Sequence, residues 1–319
     1  MSFAEIIGHQ KQIKRIKNAI RNDKMGHAYL FCGPEGIGKK KVAMAVIAYV
    51  NCFYPDKEQI ESCGTCGSCL RIIRDNQPDF FQITDHEGSI KIEQVRKLAS
   101  NLSFKNVNTN YKCVIIDNCE LLTTEASNSL LKVMEEPSDN TVFFLITRNE
   151  HQILETIQSR SQKMAFQELS DKELTLLYQQ RPEGIVPLTE VLPFAQGSFS
   201  KLLQLTEDEE FLSEVESFRE LIETMRTKHN FEMMHQTKIF EKDKNRLQRF
   251  LAYYLYLLEG ALKNEADMMQ KHLHGVTAEQ VRAIVEEIIK AQEMMIRNIN
   301  SRLIAEMVLL NSKKILKGS

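Results

Sequence analysis

A glycine-rich segment that ends in two lysines has the residue types needed to hold phosphate. It reads GPEGIGKK over residues 33–40, and its candidate phosphate-binding residues are Gly33, Gly36, Gly38 and Lys39. Glycines let backbone N–H groups converge on phosphate, and a lysine at this place reaches the β- and γ-phosphates. The spacing is that of a P-loop, but Lys40 stands where Ser or Thr would place a hydroxyl on Mg²⁺. Because lysine has no acceptor and is positively charged, we expect Lys40 to repel the ion.

A second motif, KCVIID over residues 112–117, would complete such a site. Asp117 follows an apolar strand and is placed to support Mg²⁺. In ATPases with these two motifs a glutamate normally follows and polarises the attacking water. Asn118 occupies that position here and cannot accept the proton. The two losses predict a nucleotide site without turnover, and binding without hydrolysis is left open.

Four of the seven cysteines lie within 18 residues and form a candidate metal site. They are Cys52, Cys63, Cys66 and Cys69. Four thiolates suit a structural, tetrahedral Zn²⁺. An iron–sulfur cluster would need a further cysteine at position 73, which is Ile73, so zinc is favoured over iron–sulfur and over unliganded thiols. The remaining cysteines lie in or beside apolar strands and are expected in the core: Cys32, Cys113 and Cys119.

The elements that must position these residues alternate between strands and helices. Continuous apolar runs predict strands at 28–32, 80–83, 112–117, 142–147 and 163–167. Helical patterns predict helices at 6–22, 39–51, 92–102 and 124–136. This alternation indicates a doubly wound, largely parallel sheet that is covered on both faces.

From about Glu168 onwards the sequence is predicted to be entirely helical. All seven prolines lie at or before Pro193. The last segment carries apolar residues at intervals of three or four, which predicts one long amphipathic helix packed in a bundle. These residues are Ile284, Ile288, Ala291, Met295, Ile299, Leu303, Met307 and Leu310.

Bulk composition narrows the class of protein. The net charge of −2 argues against a protein that grips DNA alone, because phosphate neutralisation needs a basic excess. No stretch approaches the ~20 apolar residues of a membrane span, and the N-terminus lacks a signal-peptide pattern. We therefore expect a cytoplasmic protein without a membrane partner.

Three further motifs carry a family resemblance. They are FAEIIGHQ at 3–10, HAYLF at 27–31 leading into the P-loop, and NSLLKVMEEP at 128–137, similar to N-x-L-L-K-x-x-E-E-P. With the cysteine module inserted after the P-loop helix, the chain resembles the AAA+ subunits of bacterial DNA polymerase III clamp loaders. The resemblance covers nearly the whole of the first 205 residues.

The resemblance also assigns expected roles. Ser159-Arg160-Ser161 is similar to the family's Ser-Arg-Cys, whose arginine projects into a neighbouring subunit's ATP site. A guanidinium supplied in trans stabilises the transferring phosphoryl group, so Arg160 is the candidate catalytic residue; the alternative is a surface arginine at a helix end. Arg148 stands at the sensor-1 position and Ser200 at the sensor-2 arginine position. These departures favour the delta-prime type over the tau/gamma ATPase type.

The fold implied by the resemblance is an α/β P-loop (AAA+) domain followed by two all-α domains. The first, at 1–167, contains a parallel five-stranded sheet and an inserted zinc module at about 52–69. A helical lid at 168–205 and a helical collar at 206–319 follow.

The implied function is that of a non-hydrolysing stator in DNA replication. It would help load the sliding clamp onto primed DNA within a hetero-pentamer with tau/gamma and delta subunits, part of a DNA-directed DNA polymerase holoenzyme. Structural Zn²⁺ is the expected cofactor, and ATP binding is not expected to be productive. Two rivals are left open: an active tau/gamma-like ATPase motor, which would turn over ATP alone, and a zinc-dependent nucleic-acid binding module, which would bind DNA alone.

Overall fold

One parallel sheet organises the N-terminal part of the chain. The computed structural model describes residues 2–74, 76–86, 88–104, 109–138, 140–182, 184–241, 243–263, 276–297 and 299–317. Within them the sheet consists of β1 Ala28–Cys32, β2 Phe80–Ile83, β3 Lys112–Ile116, β4 Thr141–Thr147 and β5 Gln162–Ala165. Its order is β2-β3-β4-β1-β5, and each neighbouring pair is parallel. The predicted fold class and all five predicted strands are confirmed, with ends that differ by one or two residues.

Helices cover both faces of the sheet, as continuous apolar strands require. The helices up to residue 178 are α1 Gln10–Arg21, α2 Lys39–Val50, α3 Gly67–Ile73, α4 Ile92–Leu102, α5 Thr124–Glu135, α6 Glu155–Ser159 and α7 Asp171–Tyr178. Every residue of β1, β3 and β4 is buried, whereas only one residue of the edge strand β5 is. Burying these central strands supplies the main hydrophobic stabilisation of this part of the chain.

The two faces of the sheet are packed differently. On one face, Leu30, Val114 and Leu145 join a core with residues of α4 and α5. On the other, the Tyr29 and Phe144 rings stack with centroids 5.6 Å apart. Aromatic pairs of this kind add to the area they bury, so the strand that leads into the P-loop is held from both sides.

The predicted first helix begins later than expected. It was predicted from residue 6, but α1 starts at Gln10 because Gly8 and His9 have φ angles of 84° and 57°. Such left-handed backbone cannot belong to a right-handed helix. Gly8 was the signal in the sequence for this boundary.

The second half of the described chain is helical, as predicted. Its helices are α8 Leu188–Ala195, α9 Phe199–Thr206, α10 Glu209–Thr227, α11 Asn230–Gln236, α12 Lys244–Lys263, α13 Ala278–Ile296 and α14 Ser301–Lys317. The prediction of one long final helix is wrong. α13 ends before Arg297, and the Asn300 side chain accepts hydrogen bonds from the backbone N–H groups of Arg302 and Leu303. The break shifts the buried face, so Leu303 is 61% exposed while its neighbour Ile304 is buried.

The chain divides into two compact units. One comprises Met1–Arg181 with Gly197–Lys201, and the other comprises Pro182–Gln196 with Leu202–Ser319. The segment predicted as a lid, 168–205, therefore contributes residues to both units, and the three-domain division stays a prediction. Among the described helices, none has the length and apolarity needed to cross a membrane.

Candidate nucleotide site and cysteine cluster

The glycine-rich segment forms a loop between β1 and α2. Gly33, Gly36 and Gly38 have φ angles of 151°, 74° and 102°, and Gly38 is the N-cap of α2. An L side chain rarely adopts these values, so the glycines are required for the turn. The predicted loop therefore has the backbone that brings N–H groups and a helix N-terminus to one place.

The loop lysine is held inside the fold. Lys39 is 6% exposed, and its ammonium donates to the carbonyl oxygens of Gly33 and Pro34. Burial lowers the pKa of Lys39, and the charge of Asp117 acts in the opposite direction. This lysine is therefore fixed against the loop that it would serve.

The next lysine pairs with the acidic residue of the second motif. The Lys40 ammonium lies 3.8 Å from a carboxylate oxygen of Asp117, and the two side chains are 41% and 26% exposed. A Mg²⁺ ion bound by Asp117 would need oxygen ligands at about 2.0–2.1 Å in near-octahedral geometry. Lys40 places a positive charge and no acceptor at this carboxylate, as its sequence position predicted.

The residue after Asp117 is also engaged elsewhere. Asn118 has a left-handed backbone with φ 53°, and its side-chain amide donates to Asp85 at 3.3 Å. An amide that donates to a carboxylate cannot take a proton from water. The hydrogen bond with Asp85 was not predicted from the sequence.

Arg148 lines the same region and is anchored by a buried acid. Its Nε lies 3.1 Å from Glu120, whose side chain is 1% exposed, and its Nη1 lies 3.4 Å from Glu35. Sequence reasoning placed Arg148 but missed Glu120. The available signal was an acidic residue inside the apolar run Cys119-Glu120-Leu121-Leu122.

The beginning of α9 packs directly on the loop. The backbone N–H groups of Phe199 and Ser200 donate to the Gly36 carbonyl at 3.0 and 3.4 Å. A Cβ atom at Gly36 would lie 2.3 Å from the Ser198 hydroxyl, so only glycine fits there. Ser200 carries no positive charge, so it offers no counterion to phosphate at the sensor-2 position.

These residues surround a cavity of about 330 Å³. Its polar lining includes the loop, Lys40, Asp117 and Arg148. Apolar side chains contribute the remaining lining, among them Ile6, Ile7, Ile146, Leu169 and Leu177. A concave, partly apolar site with convergent polar groups is typical of a small-molecule pocket.

The four clustered cysteines meet at one point, as their spacing predicted. Their sulfur atoms all lie within 4.8 Å of one another, and Cys52 and Cys66 are 4.0 Å apart. Zinc–sulfur bonds of about 2.3 Å in a tetrahedron put sulfurs about 3.8 Å apart. The backbone N–H groups of Cys63 and Cys66 donate to the sulfurs of Cys52 and Cys63, each at 3.3 Å. This donor set fits a tetrahedral metal ion with four thiolate ligands.

The local fold of the cluster explains its geometry. Cys66 is the N-cap of α3 and Cys69 lies on the first turn, so one short helix brings two sulfurs together. Hydrogen bonding, first from the backbone N–H of Thr65, lowers the pKa of Cys63 to about 6. The other cysteines are free and buried in the core as predicted: Cys32, Cys113 and Cys119.

Arg160 lies apart from the cavity, before the amino end of β5, whereas the glycine loop follows the carboxyl end of the neighbouring strand β1. It follows α6 and precedes β5, whose Gln162 pairs with Tyr29 while Ala165 pairs with Cys32. Its guanidinium lies 2.7 Å from Glu135, and the two side chains are 40% and 47% exposed. Sequence reasoning missed this partner, although Glu135 belongs to the motif at 128–137.

Strand order, a glycine loop after β1 and an aspartate after β3 together define a P-loop protein of the AAA+ class. Family comparison assigns it further. The chain belongs to the family described as DNA polymerase III, delta subunit, which matches residues 8–170.

Individual proteins are also similar to this chain. The delta' subunit of Bacillus subtilis DNA polymerase III is 28% identical over 93% of this chain and 94% of its own length. The tau subunit of the same organism is 32% identical over 54% of this chain, which spans only 30% of tau. A gamma-subunit-related structure from Thermotoga maritima aligns with TM-score 0.46, 20% identity, and coverage of 95% of this chain and 99% of its own. The family resemblance found in the sequence is confirmed.

Proposed function

We propose that this chain is a delta-prime-type stator of a DNA polymerase III clamp loader, and that it does not hydrolyse ATP. In this role it acts in DNA replication by helping to place the sliding clamp on primed DNA. It has no catalysis of its own, but it contributes to the turnover of a neighbouring subunit within the polymerase holoenzyme. Family membership and the near full-length similarity to a delta' subunit support this proposal.

The pairing of Lys40 with Asp117 carries the claim that ATP is not hydrolysed. Both motifs of a hydrolytic site are present in backbone form, but the ammonium stands at the carboxylate that would hold Mg²⁺. Phosphoryl transfer depends on that metal to neutralise charge on the phosphates and on a residue that positions water. Lys40 opposes binding of the metal, and Asn118 cannot act as the base that positions and activates water.

The position of Arg160 supports a role in trans. The phosphate loop follows the carboxyl end of β1, whereas Arg160 precedes the amino end of the parallel neighbour β5. At about 3.3 Å per residue, a strand of this length separates the two by roughly 13–16 Å. Arg160 therefore does not serve its own loop. Its exposed pair with Glu135 is of a weak kind, so exchange for a neighbour's phosphate costs little.

The proposed partners follow from this role. We place the chain in a hetero-pentamer with delta and three tau/gamma subunits, with Arg160 directed to a tau/gamma ATP site. The helical second unit would form the collar that joins the subunits. The sliding clamp and primed DNA are contacted through the complex.

The cysteine cluster is proposed to hold one structural Zn²⁺. All four tetrahedral positions are filled by Cys52, Cys63, Cys66 and Cys69, which leaves no open position for catalysis. The metal would fix the segment between α2 and β2 and thereby stabilise the P-loop domain.

The test is the clamp- and DNA-stimulated ATPase of a loader reconstituted with this chain or with its Arg160→Ala variant. An arginine finger is worth about 10³–10⁵ in rate at the site it serves, so loader turnover should fall while the pentamer still assembles. Arg74→Ala is the matched control, because Arg74 is an exposed arginine of the same unit and should leave turnover unchanged. Unchanged turnover with Arg160→Ala would contradict the role in trans.

A further inference from the structure

The cavity beside the glycine loop is lined by several cationic side chains, and one of them, Arg148, also pairs with Glu120 outside the lining. Four cationic side chains line it, Lys39, Lys40, Lys41 and Arg148, against three carboxylates. Two of the carboxylates, Asp117 and Glu35, pair with cations of the same lining. Backbone N–H groups of the loop and the N-terminus of the 12-residue helix α2 add further partial positive charge.

Lys40 lies near Asp117, but its ammonium remains able to bind a further group. Its distance of 3.8 Å from Asp117 is longer than the about 2.7–2.9 Å of a charge-assisted hydrogen bond. The ammonium has three donors and is 41% exposed, so it can donate to a phosphate oxygen that enters the cavity.

Arg148 pairs with carboxylates other than Asp117. Its Nε lies 3.1 Å from the buried carboxylate of Glu120, and its guanidinium contributes to the lining of the cavity. Arginine presents several donors in a fixed fork and suits phosphate. Lys40 and Arg148 together supply two positive charges, the same charge as the divalent ion that a P-loop normally uses.

The rest of the lining indicates which phosphate compound fits. Ile6, Leu169 and Leu177 contribute apolar surface to the same cavity of about 330 Å³. Inorganic phosphate and oligophosphate have no apolar surface to pack against these side chains, whereas the base and ribose of a nucleotide do. The lining thus contains both cationic and apolar side chains.

We propose that this cavity binds a nucleoside di- or triphosphate without a divalent metal, with Lys40 and Arg148 in the place of Mg²⁺. The bound nucleotide would stay intact and would hold the loop, β3 and the start of α9 together. This inference rests on the proposed loss of hydrolysis, since it explains what the altered residues do instead.

The test is a titration of the purified full chain with ADP and ATP by calorimetry, in excess EDTA and in excess Mg²⁺. We expect affinity in EDTA to equal or exceed that in Mg²⁺. Lys40→Ala should weaken binding by about 10-fold or more, since a hydrogen bond to a charged group is typically worth that much. Lys14→Ala is the matched control, because Lys14 is an exposed lysine on α1 and should change nothing.

A second variant separates this mechanism from general loss of the site. Lys40→Thr removes the ammonium and restores the hydroxyl of an ordinary P-loop, so binding should become dependent on Mg²⁺. Arg148→Ala should weaken binding in EDTA, and it should also cost some stability because it leaves the buried Glu120 carboxylate without its cation. Thermal unfolding curves of each variant confirm that it is folded.

Four results would overturn the proposal: no binding of either nucleotide, binding by the natural chain only with Mg²⁺, metal-independent binding by Lys40→Thr, or pyrophosphate binding as tightly as ADP. None of them bears on Arg160 in the reconstituted loader. Conversely, turnover of ATP by the chain alone would refute the proposed function, whichever way the titration came out.

Discussion

The cysteine cluster and the phosphate loop lie in the same unit and use similar local devices, yet only the cluster keeps every ligand that its proposed chemistry needs. Each places a glycine-containing turn before a helix, so that several ligand groups converge. In the cluster all four sulfurs come within 4.8 Å of one another, and backbone N–H groups donate to two of them. In the loop the backbone is equally well formed, but Lys40 lies 3.8 Å from Asp117, the carboxylate that would hold Mg²⁺.

Under the proposed function, the backbone of the loop is kept while its hydrolytic chemistry is lost. A structural metal site stabilises the fold only if every ligand is present, because the metal's binding free energy is also folding free energy. A hydrolytic site can lose its metal position and its base while the buried strands and glycines that shape it stay the same. A backbone that still has the form of a P-loop is therefore no measure of turnover, and the side chains at positions 40 and 118 must be considered.

The largest effect is expected from removing a ligand of the cysteine cluster. Cys66→Ser should reduce bound zinc from about one per chain to near zero. It should also destabilise the first unit by several kcal/mol, since structural zinc binding is worth roughly 10–16 kcal/mol in zinc-finger peptides. Metal analysis of the purified chain and limited proteolysis would measure the two effects, and assembly through the second unit should persist.

Cys113→Ala is the control for this comparison. Cys113 is a buried free cysteine outside the cluster, so its loss should cost stability without changing the zinc content. Iron in the natural chain, or no metal at all, would show that the cluster has been assigned wrongly.

The smallest effect is expected from changing His9, which supports the phosphate loop through a hydrogen bond to Ile37. His9 Nε2 donates to the Ile37 carbonyl at 2.7 Å, and burial lowers the pKa of His9, against the hydrogen bond to Ile37 and the charge of Glu173. With the folded pKa below 6.5, the unfolded chain binds more protons near that pH. The stability that His9 contributes is therefore fully present above pH 6.5 and is lost as the pH drops through the folded pKa.

Thermal unfolding between pH 7.5 and 5.5 checks this effect. His9→Gln keeps a donor for Ile37 without the titration, so the melting temperature should lose less on acidification than in the natural chain. We expect a difference of about 2 °C or less, because 1 kcal/mol moves the melting temperature of a domain of this size by about 2–4 °C. His151→Gln, at an exposed histidine, should leave the pH dependence unchanged; an equal change in both variants would remove His9 from the account.

Much of this comparison could be predicted from the sequence because local patterns determine it. The strands are continuous apolar runs, and the loop and the cluster are defined by glycine and cysteine spacing. Lys40 and Asn118 were identified because each occupies a fixed place in a motif. Such features depend on residues close together in the sequence or on the regular geometry of a parallel sheet.

Pairings between distant residues could not be predicted in this way. The contacts of Arg148 with Glu120, of Asn118 with Asp85 and of the α9 start with Gly36 depend on how separate elements pack. The last helix was mispredicted because its apolar spacing runs through the break, although Asn300 is a helix N-cap residue whose capping potential was visible in the sequence.

The most direct test of the central claim is the ATPase activity of the purified chain by itself, compared with its Lys39→Ala variant. Lys39 is the lysine that a working P-loop requires, so any activity independent of it belongs to a contaminant. We predict that the natural chain and Lys39→Ala show the same background rate, with Mg²⁺ present and with or without DNA. A rate in the natural chain that Lys39→Ala abolishes would contradict the account and make this subunit a motor.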